Sequence, residues 1–407
     1  MEKMKKGLKS LIVAASAAFL IAPAATHAQT NTRTEVHNKV VAYFADWDIY
    51  GRNYQVADID ASKLTQINYA FATITEGTMQ PGDSWADVEN PYLKGLESSK
   101  IKGSFGQLIQ LKEKYPGIQT IISVGGWSGS GEFSNVALTN ESRMKFADSV
   151  VQFLRNYQFD GVDLDWEYPV AGGLDTNVTR PEDKENYTLL LQTIREKLNQ
   201  AGQKDHTKYL LTIAGGANNS FVNNTELNKI DKIVDWINIM TYDFHGAWEN
   251  VTGNNAPLYS SNGSGLDVND AVQAYLDAGV RAKHIVLGVP FYGKGWDGVS
   301  SVKNGEFQQA AGPSQAGTWE PATFDYTDLE NNYIDKNGFI SYWDDVEKEP
   351  YLYNPTTGTF ITYENVRSIQ AKADYINDKH LGGAMLWEIS GDRNETLLSS
   401  LAKAVLK

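Results

Sequence analysis

The chain has 407 residues, no cysteine and a formal net charge of −14 at pH 7. Without cysteine it has no disulfide, thiol nucleophile or thiolate metal site, and its six histidines show no metal-ligand spacing. We therefore expect no metal and no other cofactor. The acidic balance argues against nucleic acid or an anionic lipid surface as a partner, because both bind basic patches.

The first 28 residues are typical of a secretory signal peptide. Basic residues precede an apolar run from Leu11 to Ala22, and Thr26-His27-Ala28 has the small-residue pattern of a cleavage site. An uncleaved membrane anchor is the alternative, but the run is short for a bilayer. We expect a secreted, extracellular protein with no membrane association after cleavage. Removing four lysines and one glutamate would take the formal charge from −14 to −17.

Beyond this segment, short apolar runs rich in β-branched residues alternate with stretches of helical periodicity. This alternation predicts βα units around a parallel sheet. The predicted strands are Lys39–Ala45, Gln66–Thr73, Gln119–Gly125, Gly161–Glu167, Tyr209–Ala214, Trp236–Tyr242, His284–Pro290 and Gly382–Glu388. Ser142–Tyr157 and Val366–Asn377 are predicted helices. Eight strands predict the α/β class and a (β/α)8 TIM barrel. A doubly wound open sheet is the alternative, but no G-x-G-x-x-G fingerprint follows the first strand.

One connection interrupts this alternation. Residues 295–362 separate the seventh strand from the next predicted helix and are rich in tyrosine, tryptophan and phenylalanine. A structureless loop of this length is rare in a compact domain. We predict a small α+β insertion domain at 295–362 within a catalytic barrel spanning 29–407, and we expect most of its aromatic side chains to form its own core.

The fourth predicted strand carries three acids, in the sequence DGVDLDWEYP of residues 160–169. Asp163, Asp165 and Glu167 alternate with apolar residues, so they share one face of the strand. Crowded like charges raise at least one carboxyl pKa, which suits a proton donor near neutral pH. A divalent-cation site and an exposed strand face are the alternatives. The apolar partners disfavour both, because they indicate a strand buried on both faces.

This segment resembles the D-G-x-D-x-D-x-E signature of family 18 glycoside hydrolases, the chitinases. Two further motifs resemble family segments in the same order: Ser123–Trp127 (SVGGW) after the third strand and Met240–Phe244 (MTYDF) after the sixth. The resemblance spans the chain from about residue 39 to the C-terminus. It implies a bacterial-type chitinase with an α+β insertion that walls one side of the cleft. The implied substrates are chitin and N-acetylglucosamine oligosaccharides, cleaved at β-1,4 linkages.

The resemblance also implies retaining, substrate-assisted catalysis, in which the N-acetyl carbonyl of the substrate attacks the anomeric carbon. Glu167 would protonate the glycosidic oxygen and then serve as base for water. Asp165 would hold the acetamido N–H, and Asp163 would share charge with it in a coupled set. Tyr242 would orient the acetamido carbonyl, and Asp243 would support this site.

The expected substrate-binding residues lie near the carboxyl ends of the strands. Trp387 is expected to stack beneath the sugar at the cleavage point. The others are Tyr43, Phe71, Ser123, Gly125, Gly126, Trp127, Tyr168, Met240, Thr241, Trp248 and Tyr292. By resemblance, Tyr43 and Ser123 would lie next to Asp163. Any one of these aromatic residues could equally be core. Trp47 and Trp85 are weaker candidates in loops above the barrel, and Lys294 stands where some relatives carry arginine.

Three other functions stay open at this point. A non-catalytic chitin-binding lectin could use the same barrel, but such relatives typically lack the terminal acid, and Glu167 is present. An endo-β-N-acetylglucosaminidase acting on N-glycan cores would share the acidic strand. A spore-wall or peptidoglycan glycosidase is disfavoured because no wall-binding repeats are visible. We expect a monomeric chitinase.

Overall fold

A closed barrel of eight parallel strands forms the centre of the protein. The computed structural model describes residues 38–97, 99–261 and 263–406, so the predicted signal peptide lies outside the described residues. The strands are β1 (Lys39–Ala45), β2 (Gln66–Thr75), β3 (Thr78–Pro81), β4 (Gln119–Gly125), β5 (Gly161–Asp165), β6 (Leu210–Gly216), β7 (Trp236–Met240), β8 (Ile285–Pro290), β9 (Tyr292–Asp297), β10 (Gly312–Pro313), β11 (Thr323–Asp325), β12 (Ile340–Asp344), β13 (Glu349–Asn354), β14 (Thr359–Thr362) and β15 (Gly383–Trp387).

The barrel closes because β1 pairs in parallel with both β2 and β15. The order around it is β1, β2, β4, β5, β6, β7, β8 and β15, and β3 forms an antiparallel hairpin with β2. The prediction of a (β/α)8 barrel is therefore confirmed. The open-sheet alternative is wrong, since an open sheet has two unpaired edges and this ring of eight strands has none.

Helices follow most barrel strands and cover the outside of the barrel. The α-helices are α1 (Gly103–Lys114), α2 (Phe133–Leu138), α3 (Asn140–Tyr157), α4 (Asp183–Asp205), α5 (Asn219–Asn223), α6 (Leu227–Ile230), α7 (Val268–Asp277), α8 (Tyr326–Asp328), α9 (Val366–Asp378) and α10 (Thr396–Val405). Among the described residues, no helix combines the length and apolarity needed to cross a membrane.

The apolar side chains of β5 fix the direction in which its acids point. Val162 and Leu164 are fully buried, and Trp166 just beyond the strand is 1% exposed. The Trp166 ring stacks on Phe133 of α2 at 5.3 Å and meets Tyr187 of α4 edge-on at 5.1 Å. Successive strand residues face opposite sides, so this outward packing turns the alternating acids toward the barrel interior.

A second, antiparallel sheet is inserted between β8 and α9. Its strand order is β10, β9, β14, β13 and β12, with β11 also paired to β9. It has a small aromatic core of its own, formed by Trp296, Val299, Tyr351, Tyr353 and Phe360. The sheet begins directly after Phe291, at the carboxyl end of β8. It therefore rises from the edge of the barrel where parallel α/β barrels carry their active sites.

Candidate active site

The deepest acid, Asp163, is fully buried and receives four hydrogen bonds. Its Oδ2 accepts from the hydroxyls of Tyr43 and Ser123, each at 2.8 Å. Its Oδ1 accepts from Thr212 Oγ1 at 2.6 Å and from Asn238 Nδ2 at 3.4 Å. Burial raises the Asp163 pKa, and the hydrogen bonds from all four donors oppose that rise. The carboxyl group is thus held rigidly in the barrel interior.

The middle acid, Asp165, is buried without such support. Its Oδ1 has no hydrogen-bond partner among the described residues. Burial, and then repulsion from Glu167 and Asp163, raises the Asp165 pKa well above its ordinary value. A buried polar atom without a partner is costly, at about 1–3 kcal/mol. A ligand that donates an N–H or O–H to this atom would relieve that cost.

The third acid, Glu167, lies two residues beyond the end of β5 and is partly exposed to the cleft. Its backbone is fixed on both sides, because its N–H donates to Ser130 Oγ at 2.8 Å and its carbonyl accepts from Asn177 Nδ2 at 3.0 Å. Burial raises the pKa of Glu167 to about 7; a hydrogen bond from Tyr168 opposes this rise, and repulsion from Asp243 adds to it. At neutral pH a large share of this carboxyl group carries a proton.

Asp165 and Glu167 line a cavity of about 380 Å³, whereas Asp163 lies behind its wall. Its lining consists of aromatic and polar side chains with a few small residues: Tyr43, Trp47, Phe71, Trp127, Ser128, Asp165, Glu167, Tyr168, Ala214, Ala217, Asn218, Met240, Tyr242, Asp243, Phe244, Leu266 and Trp387. Apolar walls with a few convergent polar groups are typical of a small-molecule or carbohydrate site. The cavity has the size and chemistry to hold a sugar ring.

Aromatic rings cluster on one wall of this cavity around Trp387. The Trp387 ring is stacked with Phe71 at 5.8 Å, tilted against Tyr43 at 5.5 Å and edge-on to Trp47 at 6.3 Å. The peptide bonds Ala70–Phe71, Glu167–Tyr168 and Trp387–Glu388 are cis. Trp127 is 52% exposed, so its ring is open to a ligand.

Tyr242 and Asp243, which follow β7, line the same cavity as Asp165 and Glu167. Tyr242 is deeply placed, and burial raises its pKa well above the ordinary value, so its hydroxyl stays protonated. Asp243 Oδ1 accepts from the Tyr292 hydroxyl at 2.8 Å and lies 3.6 Å from Lys294 Nζ. The Lys294 ammonium group also lies 4.9 Å from the centre of the Tyr292 ring. These contacts hold the Asp243 carboxylate at the rim of the cleft.

A second cavity of about 450 Å³ continues beyond Trp387. It shares Trp47, Asp243 and Trp387 with the first cavity and is lined also by Arg52, Phe291, Tyr292, Lys294, Trp319, Glu320, Thr323, Asp325, Glu388 and Gly391. Trp319, Glu320, Thr323 and Asp325 belong to the inserted segment. The two cavities therefore form one elongated groove, with part of its wall supplied by the insertion.

Five of the expected substrate-binding residues do not line either cavity. Ser123 and Thr241 are fully buried, and their hydroxyls donate to Asp163 and to the Gly288 carbonyl. Neither side chain reaches either cavity, and Ser123 lies beside Asp163, as the resemblance implies. The other three are Gly125, Gly126 and Trp248.

The glycines are buried behind the wall, whereas Trp248 is 61% exposed. A Cβ on Gly126 would come within 2.7 Å of the Phe71 ring, and one on Gly125 within 2.3 Å of the Asp165 carbonyl. The two glycines allow the Phe71 ring and the Asp165 backbone to pack closely against the turn after β4. The Trp85 ring lies outside both cavities, near Tyr92 at 6.4 Å.

Several lining residues were not predicted from the sequence. They are Ser128, Ala214, Ala217, Asn218, Phe244 and Leu266 in the first cavity and most of the second-cavity residues. Asn218 follows the carboxyl end of β6, so the barrel rule alone could have suggested it. Leu266 and Trp319 come from long loops, whose path no local pattern predicts. Within the described residues, no group of three or more histidine, aspartate or glutamate side chains could hold a metal ion.

Comparisons with known proteins agree with this geometry. Residues 39–392 match the family Glycosyl hydrolases family 18. Chitinase A1 of Niallia circulans is 49% identical over 97% of this chain, which spans 61% of that protein. Chitinase ChiA74 from Bacillus thuringiensis has a TM-score of 0.86 at 44% identity, covering 91% of this chain and 70% of that one.

A family 18 N-acetylglucosaminidase from Paenibacillus barengoltzii has a TM-score of 0.76 at 34% identity, covering 90% of this chain and 99% of that one. The matched region, residues 39–392, contains the barrel, the acids of β5 and the inserted sheet. The chain belongs to glycosyl hydrolase family 18.

Proposed function

We propose that the protein is a secreted chitinase that cleaves β-1,4 linkages between N-acetylglucosamine units, with Glu167 as acid and base. One observation carries the proposal. The buried Asp165 Oδ1 has no hydrogen-bond partner in the part of the chain that the structure describes, and it lies on the same face as Glu167, a carboxyl group with a pKa of about 7. A substrate with an N–H beside its scissile bond supplies the missing donor.

The first step breaks the glycosidic bond. Protonated Glu167 gives its proton to the glycosidic oxygen, and the C–O bond breaks toward that oxygen. The acetamido oxygen of the same sugar attacks the anomeric carbon and forms an oxazolinium ring, so the protein supplies no nucleophile. Held in place by the cleft, the two reacting atoms gain the rate advantage of an intramolecular reaction.

Asp165 and Tyr242 orient the acetamido group for this attack. Positive charge develops on the acetamido nitrogen as the ring closes, and the buried Asp165 carboxyl accepts its N–H. The Tyr242 hydroxyl, protonated because burial raises its pKa, donates to the acetamido oxygen. In the second step ionised Glu167 removes a proton from water, and the water oxygen attacks the anomeric carbon. This attack opens the oxazolinium ring from the face that the leaving group occupied, so the configuration is retained.

The elongated groove favours a polymer over a single sugar. Its two cavities meet at Trp387, and Trp127 and Trp47 offer further aromatic faces for sugar rings. The similar proteins from Niallia circulans and Bacillus thuringiensis are both named chitinases, which supports chitin as the substrate. The proposal of export rests on residues 1–28, which are typical of a signal peptide. A monomer is sufficient to form the active site, because the described acids and aromatic walls come from one chain.

Hydrolysis of colloidal chitin by the purified protein and by Glu167→Gln tests the proposal. Glutamine preserves the shape of the side chain but has no acidic proton, so we expect activity to fall about 10²–10⁴-fold. Glu141→Gln, the same change at an exposed helix residue, should leave the rate unchanged.

Retained activity in Glu167→Gln would contradict the assignment of the acid. Chitin binding without any hydrolysis by the unmodified protein would favour a lectin. Cleavage of N-glycan cores but not of chitin would favour an endo-β-N-acetylglucosaminidase.

A further inference from the structure

Asn255 is a fully buried residue that uses its side chain and its backbone to hold the segment after β7. Its Oδ1 accepts from the Asp243 N–H at 3.0 Å, and its carbonyl accepts from the Phe244 N–H at 3.0 Å. Its Nδ2 donates to the Tyr292 carbonyl at 3.4 Å. One side chain thus joins two segments that line the cleft, although Asn255 itself lines neither cavity.

The Asp243 backbone needs such support. Its φ of 56° is left-handed, a conformation that is unfavourable for a residue with a Cβ. Strained residues persist where their surroundings fix them. The consecutive N–H groups of Asp243 and Phe244 both donate hydrogen bonds to Asn255. Asn255 therefore stabilises the left-handed turn that directs the Asp243 carboxylate toward Glu167 and Tyr292.

Asn255 is in turn anchored to the inserted sheet. Its N–H donates to Thr362 Oγ1 at 3.0 Å, and that hydroxyl donates to Glu349 Oε1 at 3.1 Å. The neighbouring Ala256 N–H also donates to the Glu349 carboxylate. Thr362 and Glu349 belong to β14 and β13. A continuous set of buried hydrogen bonds therefore runs from the insertion to Asp243.

We infer that Asn255 is a positioning residue for the hydrolysis, holding Asp243 in place and coupling the inserted sheet to the active site. This inference rests on the proposed function. Asp243 lines the same cavity as Glu167, Asp165, Tyr168 and Tyr242. A displaced Asp243 carboxylate should reduce the stabilisation of the transition state more than it reduces substrate binding. The positive charge that this carboxylate balances develops only during the reaction.

A double-mutant cycle separates positioning from general stability. Asn255→Ala should lower kcat on a soluble N-acetylglucosamine oligosaccharide about tenfold or more while KM changes less than about threefold. In an Asp243→Asn background the same change should alter kcat by less than about twofold, because the positioned carboxylate is already gone.

Asn254→Ala is the matched control. Asn254 is the adjacent, equally buried amide; it donates to Glu347 Oε2 at 2.8 Å, whereas the Asp243 N–H donates to Asn255. It should lower the melting temperature as Asn255→Ala does but leave kcat within about twofold.

Additive effects of Asn255→Ala and Asp243→Asn, or an equal loss of kcat in Asn254→Ala, would overturn this inference alone. An unmodified protein that cleaves no chitin oligosaccharide would overturn the proposed function together with it.

Discussion

The three carboxyl groups of the acidic strand differ because their immediate surroundings differ. Asp163 receives four hydrogen bonds, Asp165 Oδ1 receives none from the described residues, and Glu167 sits half-buried at the cleft. Position along one strand therefore separates a rigid anchor, an acceptor available to a ligand and, in the proposed mechanism, the proton donor. Their titrations are linked, so measured pKa values will belong to the set.

The pKa of Glu167 predicts the pH dependence of the reaction. The acid works only when protonated, so kcat/KM should be high below pH 7 and fall as the pH rises through about 7. Repulsion from Asp243 contributes to the raised Glu167 pKa. Asp243→Asn removes that repulsion and should move the alkaline limb to lower pH, besides reducing the rate.

The measurement is a pH profile of kcat/KM on a soluble oligosaccharide. Asp277→Asn, the loss of an exposed carboxylate on α7, should not move the limb. An alkaline limb that stays in place or moves upward in Asp243→Asn would contradict this account.

The turn after β4 shows how one element shapes the cleft from behind. Gly126 has a φ of 75°, its N–H donates to the Asp165 carbonyl at 2.8 Å, and the Phe71 ring fills the space where a side chain would begin. Only glycine satisfies the conformation and the close approach together. The turn thus fixes the separation of β4 and β5 and the position of Phe71.

Gly126→Ala should therefore weaken both folding and binding. The left-handed conformation costs about 1–2 kcal/mol with a Cβ, and Phe71 must move away from the 2.7 Å contact. We expect a lower melting temperature and a higher KM for oligosaccharides. Gly117→Ala, where an added Cβ meets nothing within 4 Å, is the control and should be neutral. Equal effects of the two changes would refute this role of Gly126.

The eight strands and two helices predicted from periodicity match the structure to within two residues, and the differences have local causes. The predicted helix Ser142–Tyr157 begins two residues earlier, at Asn140, because the Thr139 hydroxyl accepts from the Ser142 N–H and caps the helix. The fourth strand ends at Asp165 instead of Glu167, since the chain turns there and the Glu167 N–H bonds Ser130. A strand pattern cannot reveal where pairing stops.

At the scale of the whole molecule, the barrel could be predicted because its strands repeat one signal eight times. The acids, Tyr242 and Trp387 could be placed because they lie in or just after strands whose carboxyl ends meet at one edge of the barrel. Arg52 and Trp319 could not, since loops without periodicity bring them to the groove. Asn255 could not either, since a loop brings it to the backbone of Asp243. The inserted sheet supplies part of the groove wall, and its hydrogen bonds to Asn255 connect it to Asp243.

The anomeric form of the first product tests the central claim most directly, namely that the acetamido group of the substrate, and not water, makes the first attack. Proton NMR of a chitin oligosaccharide during the first minutes of hydrolysis reports it before mutarotation. Attack by the acetamido oxygen and then by water predicts β-anomers at the newly formed reducing ends. Initial α-anomers would mean direct attack by water and would contradict the account.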